Sequence, residues 1–480
     1  MILSNFLSKH KNFIFHGFIC LVLLLFFLDH FYDFSSELTF LIATLLVLTV
    51  AILILRFKQL LLYMLSFLIP LSVPLVIGTS QISMPSELVI VMLGAFFFVK
   101  VILDKKPNRQ FMTHPITILI LLDVTWLFIS SVFSEMPEVS FKRLFIRTCY
   151  YITFYYFYYE MFRMDVKNIK KIFTLHICGF LIPILYATIN HASLGFTTVG
   201  SQRISAPFYF DHTIYGACLV FFIPFIFLYA TGAQSRKEKT LYGSLLFVFL
   251  TASLLSYSRA AWISLFIAAT LALILRYRIK IKYLALATLV LCFAAFLNFE
   301  RIKNSLSQNK DISHSNDVGK HFKSISNINT DASNKERINR WKCALRMFAD
   351  KPLAGFGPGT YQFFYGQYQQ IEDLTRISTY NGTKGHAHSE YLNYLSETGL
   401  PGLLIFLTLI AVVCRRALYV FKNTASPAKI TALAVFAALV TYFVHAFFNG
   451  FLEFDKMAMP VFCSMAVITA LDLQIKPLAD

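Results

Sequence analysis

A chain of 480 residues that is 57% hydrophobic and only 14% charged, with mean hydropathy +0.62 and formal net charge +17, is too apolar to fold as a soluble globular protein. It reads as a multi-pass integral membrane protein. It carries no Walker-type phosphate loop, no Cys/His metal ladder and no defensible internal repeat, so nucleotide-driven transport by this chain alone is disfavoured, and neither a nucleic-acid partner nor a cofactor is expected.

A helix needs about 20 mostly apolar residues to cross a hydrocarbon core roughly 30 Å thick. Windows of that kind predict an all-α architecture of fourteen spans: 12 to 28, 38 to 55, 60 to 78, 86 to 103, 115 to 133, 144 to 162, 170 to 190, 212 to 230, 240 to 256, 260 to 276, 281 to 299, 401 to 421, 428 to 448 and 457 to 473. The first lacks a small-residue cleavage site after its apolar core, in "LLLFFLDHFYDFSS", and is expected to stay as a helix. With the N-terminus cytoplasmic, inside segments such as "FRMDVKNIKK", "SRKEK" and "RYRIKIK" hold 24 Lys/Arg and the short outside loops six. That split follows the positive-inside rule and places both termini in the cytoplasm.

The other 13 basic residues, against eight acidic ones, lie in one segment from Glu300 to about Gly385, which this topology puts outside. Long loops escape the charge rule, so the excess needs no functional explanation. The first part, "NSLSQNKDISHSNDVGKHFKSISNINTDASNKE", is poor in apolar residues and is expected to be irregular. In "RINRWKCALRMFADKPLAGFGPGTY", Ile338, Trp341, Leu345 and Phe348 recur at helical spacing ahead of Pro and Gly breaks, predicting a surface helix and then a glycine turn. The chain thus divides into an N-terminal transmembrane bundle (1–200), transmembrane helices carrying two arginines (201–299), a large outer loop with a histidine motif (300–400) and C-terminal transmembrane helices (401–480). Seven of the eight cysteines fall in spans, so Cys343 has no outside partner for a disulfide.

On the outer face, Arg203 in "GSQRISAPFYFDHTIYG" and Arg259 in "LSYSRAAW" lie beside span ends. Each could simply snorkel. Together, two planar and permanently charged guanidiniums near headgroup level suit a lipid-linked phosphate or pyrophosphate. On the same face, "HAHSEYLNYLSETGLPG" reads as a three-turn helix stopped by Gly399 and Pro401, with Tyr391, Leu392 and Leu395 on its buried side. His388 is expected in its first turn, where the helix N-terminus favours neutral imidazole and hence a base. A structural loop histidine is the plainer alternative, and a metal at His386 and His388 would need further ligands. Asp123, His176 and His445 read as packed polar groups inside the bundle, and "CYYITFYYFYYEMF" as aromatic packing.

The spacing His388, Ser389, nine residues, Gly399, x, x, Gly402 resembles the signature of the O-antigen ligase and polymerase superfamily. The likeness extends to "RINRWKCALRMFADKPLAGFGPGTY", "SRAAW" and, more weakly, "RISAPFYFDHTIYGA", over about residues 200 to 455. It implies a GT-C-like polytopic fold with a large periplasmic loop, in the bacterial inner membrane. It also implies metal-independent, inverting transfer of a glycan from undecaprenyl pyrophosphate to an acceptor hydroxyl, often on lipid A-core. Within that reading His388 is the general base and Arg203 and Arg259 bind pyrophosphate. Arg337, Arg340, His386, Asp211 and His212 are further candidates for substrate contact; Asp211 and His212 stand where relatives often carry Asn. A polymerase, a protein O-oligosaccharyltransferase and, in another class, a lipid or polysaccharide transporter are the competing functions.

Overall fold

A computed structural model of the chain describes residues 44–45, 48–50, 57–77, 80–103, 108–197, 200–279, 332–375, 377–379 and 385–475. The spans expected at 12–28 and 281–299, most of 38–55 and the loop before residue 332 lie outside the described residues. Helices run over Lys58–Leu68 (α1), Ser86–Leu103 (α2), Pro115–Val132 (α3), Pro137–Tyr150 (α4), Tyr158–Met164 (α5), Lys167–Ser193 (α6), His212–Gly232 (α7), Arg236–Leu255 (α8) and Arg259–Tyr277 (α9). They continue with Ala332–Asp350 (α10), Glu390–Asn423 (α11), Ala428–His445 (α12) and Asp455–Asp472 (α13). Seven of these, α3, α6 to α9, α11 and α12, are long and apolar enough to cross a membrane among the described residues. A π-helical segment, Tyr151–Phe157, joins α4 to α5, and its aromatic run is buried packing.

The span expected over 60–78 does not form. α1 ends at Leu68, a short 3₁₀ turn holds Pro70, and Val73–Ile77 (β1) pairs antiparallel with Ser80–Met84 (β2). Pro70 and Pro74, four residues apart, each remove a helical N–H and clash with the preceding turn, so the apolar run cannot continue as helix. Lys456 at the start of α13 satisfies the freed carbonyls, its Nζ donating to Ile69 (3.1 Å), Pro70 (3.3 Å) and Ser72 (2.7 Å).

Helix ends sort into two levels. At one, Lys170 pairs with Glu238 (2.9 Å), Arg276 donates to Thr231 (2.9 Å), and Asp472 is held by His114 (3.0 Å) and Arg416. At the other, the α3–α4 turn meets the loop after α10 through Glu135 N–H to Phe356 carbonyl (3.0 Å). The start of α11 meets the end of α12 through Glu390 N–H to Ala446 carbonyl (2.8 Å), and Tyr257 between α8 and α9 donates to Phe196 beyond α6 (3.2 Å). The basic connections "FRMDVKNIKK" and "SRKEK" belong to the first level and the histidine motif to the second.

Gly399 interrupts α11 as the sequence predicts, at φ 69° and ψ −172°, a conformation open essentially to glycine alone. The interruption makes room for the loop after α10: a Cβ there would meet the Leu353 carbonyl oxygen at 2.0 Å. The run "PLAGFGPG" docks beside it through Leu400 N–H to Pro352 (2.9 Å), Phe356 N–H to Ser396 (3.1 Å) and Gly357 N–H to Glu397 (2.8 Å). Gly399→Ala should therefore cost more than the roughly 1–3 kcal/mol of the backbone strain alone, because the loop must also shift. Thermal unfolding in detergent measures the loss.

α10 forms where expected but presents a different face. Glu336, Asn339, Arg340, Cys343, Ala344 and Met347 are buried, whereas Leu345 is 49% exposed. The apolar spacing of Ile338, Trp341, Leu345 and Phe348 misleads because the helix covers a small second core against Phe356, Tyr361, Tyr365 and Ala387, and its inward polar groups find partners there.

Candidate active site

The centre of the site is the tripeptide His386–Ala387–His388, held by its backbone. Arg340 donates to the His386 carbonyl (3.2 Å), Trp341 Nε1 to the His388 carbonyl (3.2 Å), and Ala387 N–H to Asn393 Oδ1 (3.3 Å). His388 N–H donates to His386 Nδ1 (2.9 Å). His388 itself takes φ 49°, a left-handed conformation uncommon outside glycine and found where surrounding contacts over-determine it. Ser389 caps α11 by accepting from Leu392 N–H (3.4 Å), so His388 stands just before the cap rather than in the first turn.

That placement changes why the imidazole is neutral. Burial, then the His386 ring and the Arg337 and Arg340 guanidiniums, hold its pKa well below the ordinary 6.5, while the hydrogen bond to Asn449 acts in the opposite direction. His386 is pushed down to about 4, chiefly by burial. His388 Nδ1 lies 3.2 Å from Asn449 Oδ1; no described residue hydrogen-bonds its Nε2, and the residue is only partly buried. A neutral imidazole with one nitrogen engaged and the other open can accept a proton.

The remaining expected residues are placed as follows. Arg337, partly buried, faces His388, His386 and His445 from α10. Arg340 is not on a solvated face: its Nε pairs with Glu336 (2.9 Å), another nitrogen reaches Tyr365 Oη (3.4 Å), and its guanidinium lies 4.7 Å from the Tyr365 ring centroid. Asp211 caps α7, accepting from Thr213 N–H (2.7 Å) and Ile214 N–H (3.1 Å), and bears electrostatically on His386. His212 opens α7 with a buried Nδ1. Arg259 opens α9, and the next residue, Ala260, lies against His445. Arg203, itself exposed, ends a 3₁₀ turn, and no described contact joins it to His388.

Residues that sequence reasoning passed over complete the site. His445 lies at the end of α12 beside the motif, not in the middle of the bundle, and its Nε2 is 3.4 Å from Asn449 Nδ2. The buried side of the motif helix is polar as well as apolar: Glu390, Asn393, Ser396, Glu397 and Thr398 are all inside. Glu397 accepts from Gly359 N–H (2.9 Å) and Tyr361 N–H (3.0 Å) and docks the glycine run. Glu390 accepts from Tyr442 Oη (2.8 Å) and Phe451 N–H (2.9 Å) and docks the turn after α12. Asn449 was visible only as the Asn of "FFNGF", a polar pair closing an apolar run at the same membrane level as His388.

The family model described as O-antigen ligase matches residues 244–407. That stretch holds the histidine motif, the clamp of α10 and the α8–α9 turn together. Over it, the chain is similar to the O-antigen ligase family. No curated protein matches the chain. The O-antigen ligase match includes Arg259, Arg337, Arg340, His386 and His388, and is narrower than the likeness over 200 to 455 read from the sequence; Arg203, Asp211, His212, His445 and Asn449 fall outside it.

Proposed function

We propose that the protein is a metal-independent, inverting glycosyltransferase of the O-antigen ligase type. It would move a glycan from undecaprenyl pyrophosphate to a sugar hydroxyl of lipid A-core type on the periplasmic side of the bacterial inner membrane. The observation that carries this reading is His388: a neutral imidazole with an open Nε2, clamped at the helix ends of a membrane bundle inside the O-antigen ligase match. The acceptor oxygen attacks the anomeric carbon and its proton passes to His388 Nε2. The bond from that carbon to the pyrophosphate oxygen breaks, and the electron pair leaves with undecaprenyl pyrophosphate. Arg203 and Arg259 hold that leaving group and offset its growing charge. The leaving group stores the driving energy, so no nucleotide is required. Arg337, His386, Asp211 and His212 are further candidates for substrate contact, and Arg340 acts through the backbone it clamps.

A deletion strain analysed by surface-polysaccharide gel tests the reaction. Loss of attached polymer with intact lipid-linked polymer is expected; accumulation of single repeat units would mean a polymerase instead. For the arginines, Arg203→Lys and Arg259→Lys should each impair transfer at unchanged protein level, because a point charge cannot form the two parallel hydrogen bonds of a guanidinium. Full activity in both variants, assayed in vitro with lipid-linked donor, would remove them from the pyrophosphate site.

A further inference from the structure

Asn449 and His445 have no role in the reaction as proposed, yet both are almost completely buried, at 2% and 0% exposure, Asn449 against His388 and His445 against Asn449. They form one chain of polar contacts: His445 Nε2 to Asn449 Nδ2 at 3.4 Å, then Asn449 Oδ1 to His388 Nδ1 at 3.2 Å. The backbone that carries the carboxamide is anchored on both sides. The main-chain N–H of Asn449 donates to the His445 carbonyl (3.2 Å), and the next turn is bound through Phe451 N–H and Leu452 N–H to the Glu390 carboxylate, two residues beyond His388. Glu390 thus ties Asn449 to the motif helix.

The chemistry of the three groups fixes protons. An amide nitrogen only donates and an amide oxygen only accepts. With Nδ2 donating to His445 Nε2, the oxygen faces His388, whose Nδ1 must then carry the ring proton. The lone pair is left on Nε2. The reversed carboxamide would demand the other tautomer, with hydrogen on Nε2, and that nitrogen could not take a proton from anything. We infer that Asn449, oriented by His445, is a positioning residue that holds His388 in the tautomer competent to act as base. The inference rests on the reading of His388 as base and extends it to residues beyond the matched domain.

The test uses the purified full chain with lipid-linked donor and sugar acceptor, following kcat, KM and their pH dependence. Asn449→Leu should lower kcat about 10-fold or more with the donor KM little changed, since tautomer and ring orientation are lost while donor contacts remain. His445→Phe should fall between this variant and the parent. Asn449→Asp keeps an acceptor at the same place and should recover most of kcat. Its added negative charge should move the acid limb of kcat to higher pH, against the background of His386 beside the ring, Arg337 and Arg340 that act on it from α10, and His445 behind Asn449. Wild-type kcat in Asn449→Leu, or an unmoved acid limb in Asn449→Asp, overturns the inference. His388→Ala run beside them separates the two levels. If it is inactive while Asn449→Leu is normal, only the positioning role fails. If it is active, the base assignment fails and takes the positioning role with it.

Discussion

His388→Ala should reduce glycan transfer by about 10²-fold or more, the usual contribution of a general base, while leaving membrane insertion and the helix bundle intact. Among the described residues the side chain hydrogen-bonds Asn449 alone, and its backbone bonds to Trp341 and His386 do not need the His388 imidazole. Alanine enters φ 49° less readily than histidine, but the backbone bonds from Arg340 and Trp341 that hold the tripeptide in place remain, so the fold has little reason to change. In vitro turnover from lipid-linked donor, with detergent-solubilised protein checked for monodispersity, is the measurement. Near-normal turnover, or activity abolished by chelator and restored by a divalent ion, would sink the assignment. The pH dependence has a defined sign. Because the His388 pKa is held below 6.5, neutral base persists to lower pH than for a free histidine, and transfer should decline only below that value. Stability follows a related course: between about 6.5 and 4 the unfolded chain binds a proton at His386 that the folded site refuses. The folded state therefore loses stability as pH falls through that window.

Arg340→Ala is expected to give the second large effect, by a different route. It leaves Glu336 buried without its partner, although Thr375 (3.0 Å) and Ser378 still donate to the carboxylate, and it releases the carbonyl of His386. Breaking a buried pair from one side typically costs about 3–5 kcal/mol, so the unfolding midpoint should drop and transfer should fall with it. Removing both charges, as Glu336→Leu with Arg340→Met, should recover much of the stability but not the activity, because the carbonyl clamp on the tripeptide is still missing. Recovery of both would show that Arg340 serves stability alone, and an unchanged midpoint in Arg340→Ala would mean that the pair contributes nothing. Arg340→Lys makes a useful third variant, since one ammonium cannot reach Glu336, Tyr365 and His386 together.

Local chemistry was enough to place most described helices, the break at Gly399 and the histidine motif. An apolar run of membrane length, a left-handed glycine and a proline act through their own backbone, and each says the same thing in any surroundings. The same locality explains why "IPLSVPLVIG" failed as a span: its prolines outweigh its hydropathy, and that signal was present in the sequence but given less weight than composition. What the sequence could not decide was which polar side chains face inward. The burial of Glu336 and Arg340, the docking of Glu397 onto Gly359 and Tyr361, and the approach of Asn449 to His388 join residues up to 61 positions apart. A buried polar group is tolerated only when a partner arrives, and the partner's arrival is a property of how the helices pack, not of the order of residues along any one of them. His388 was therefore legible as a candidate from its motif, whereas the residues that hold it, orient it and set its charge were decided by tertiary structure.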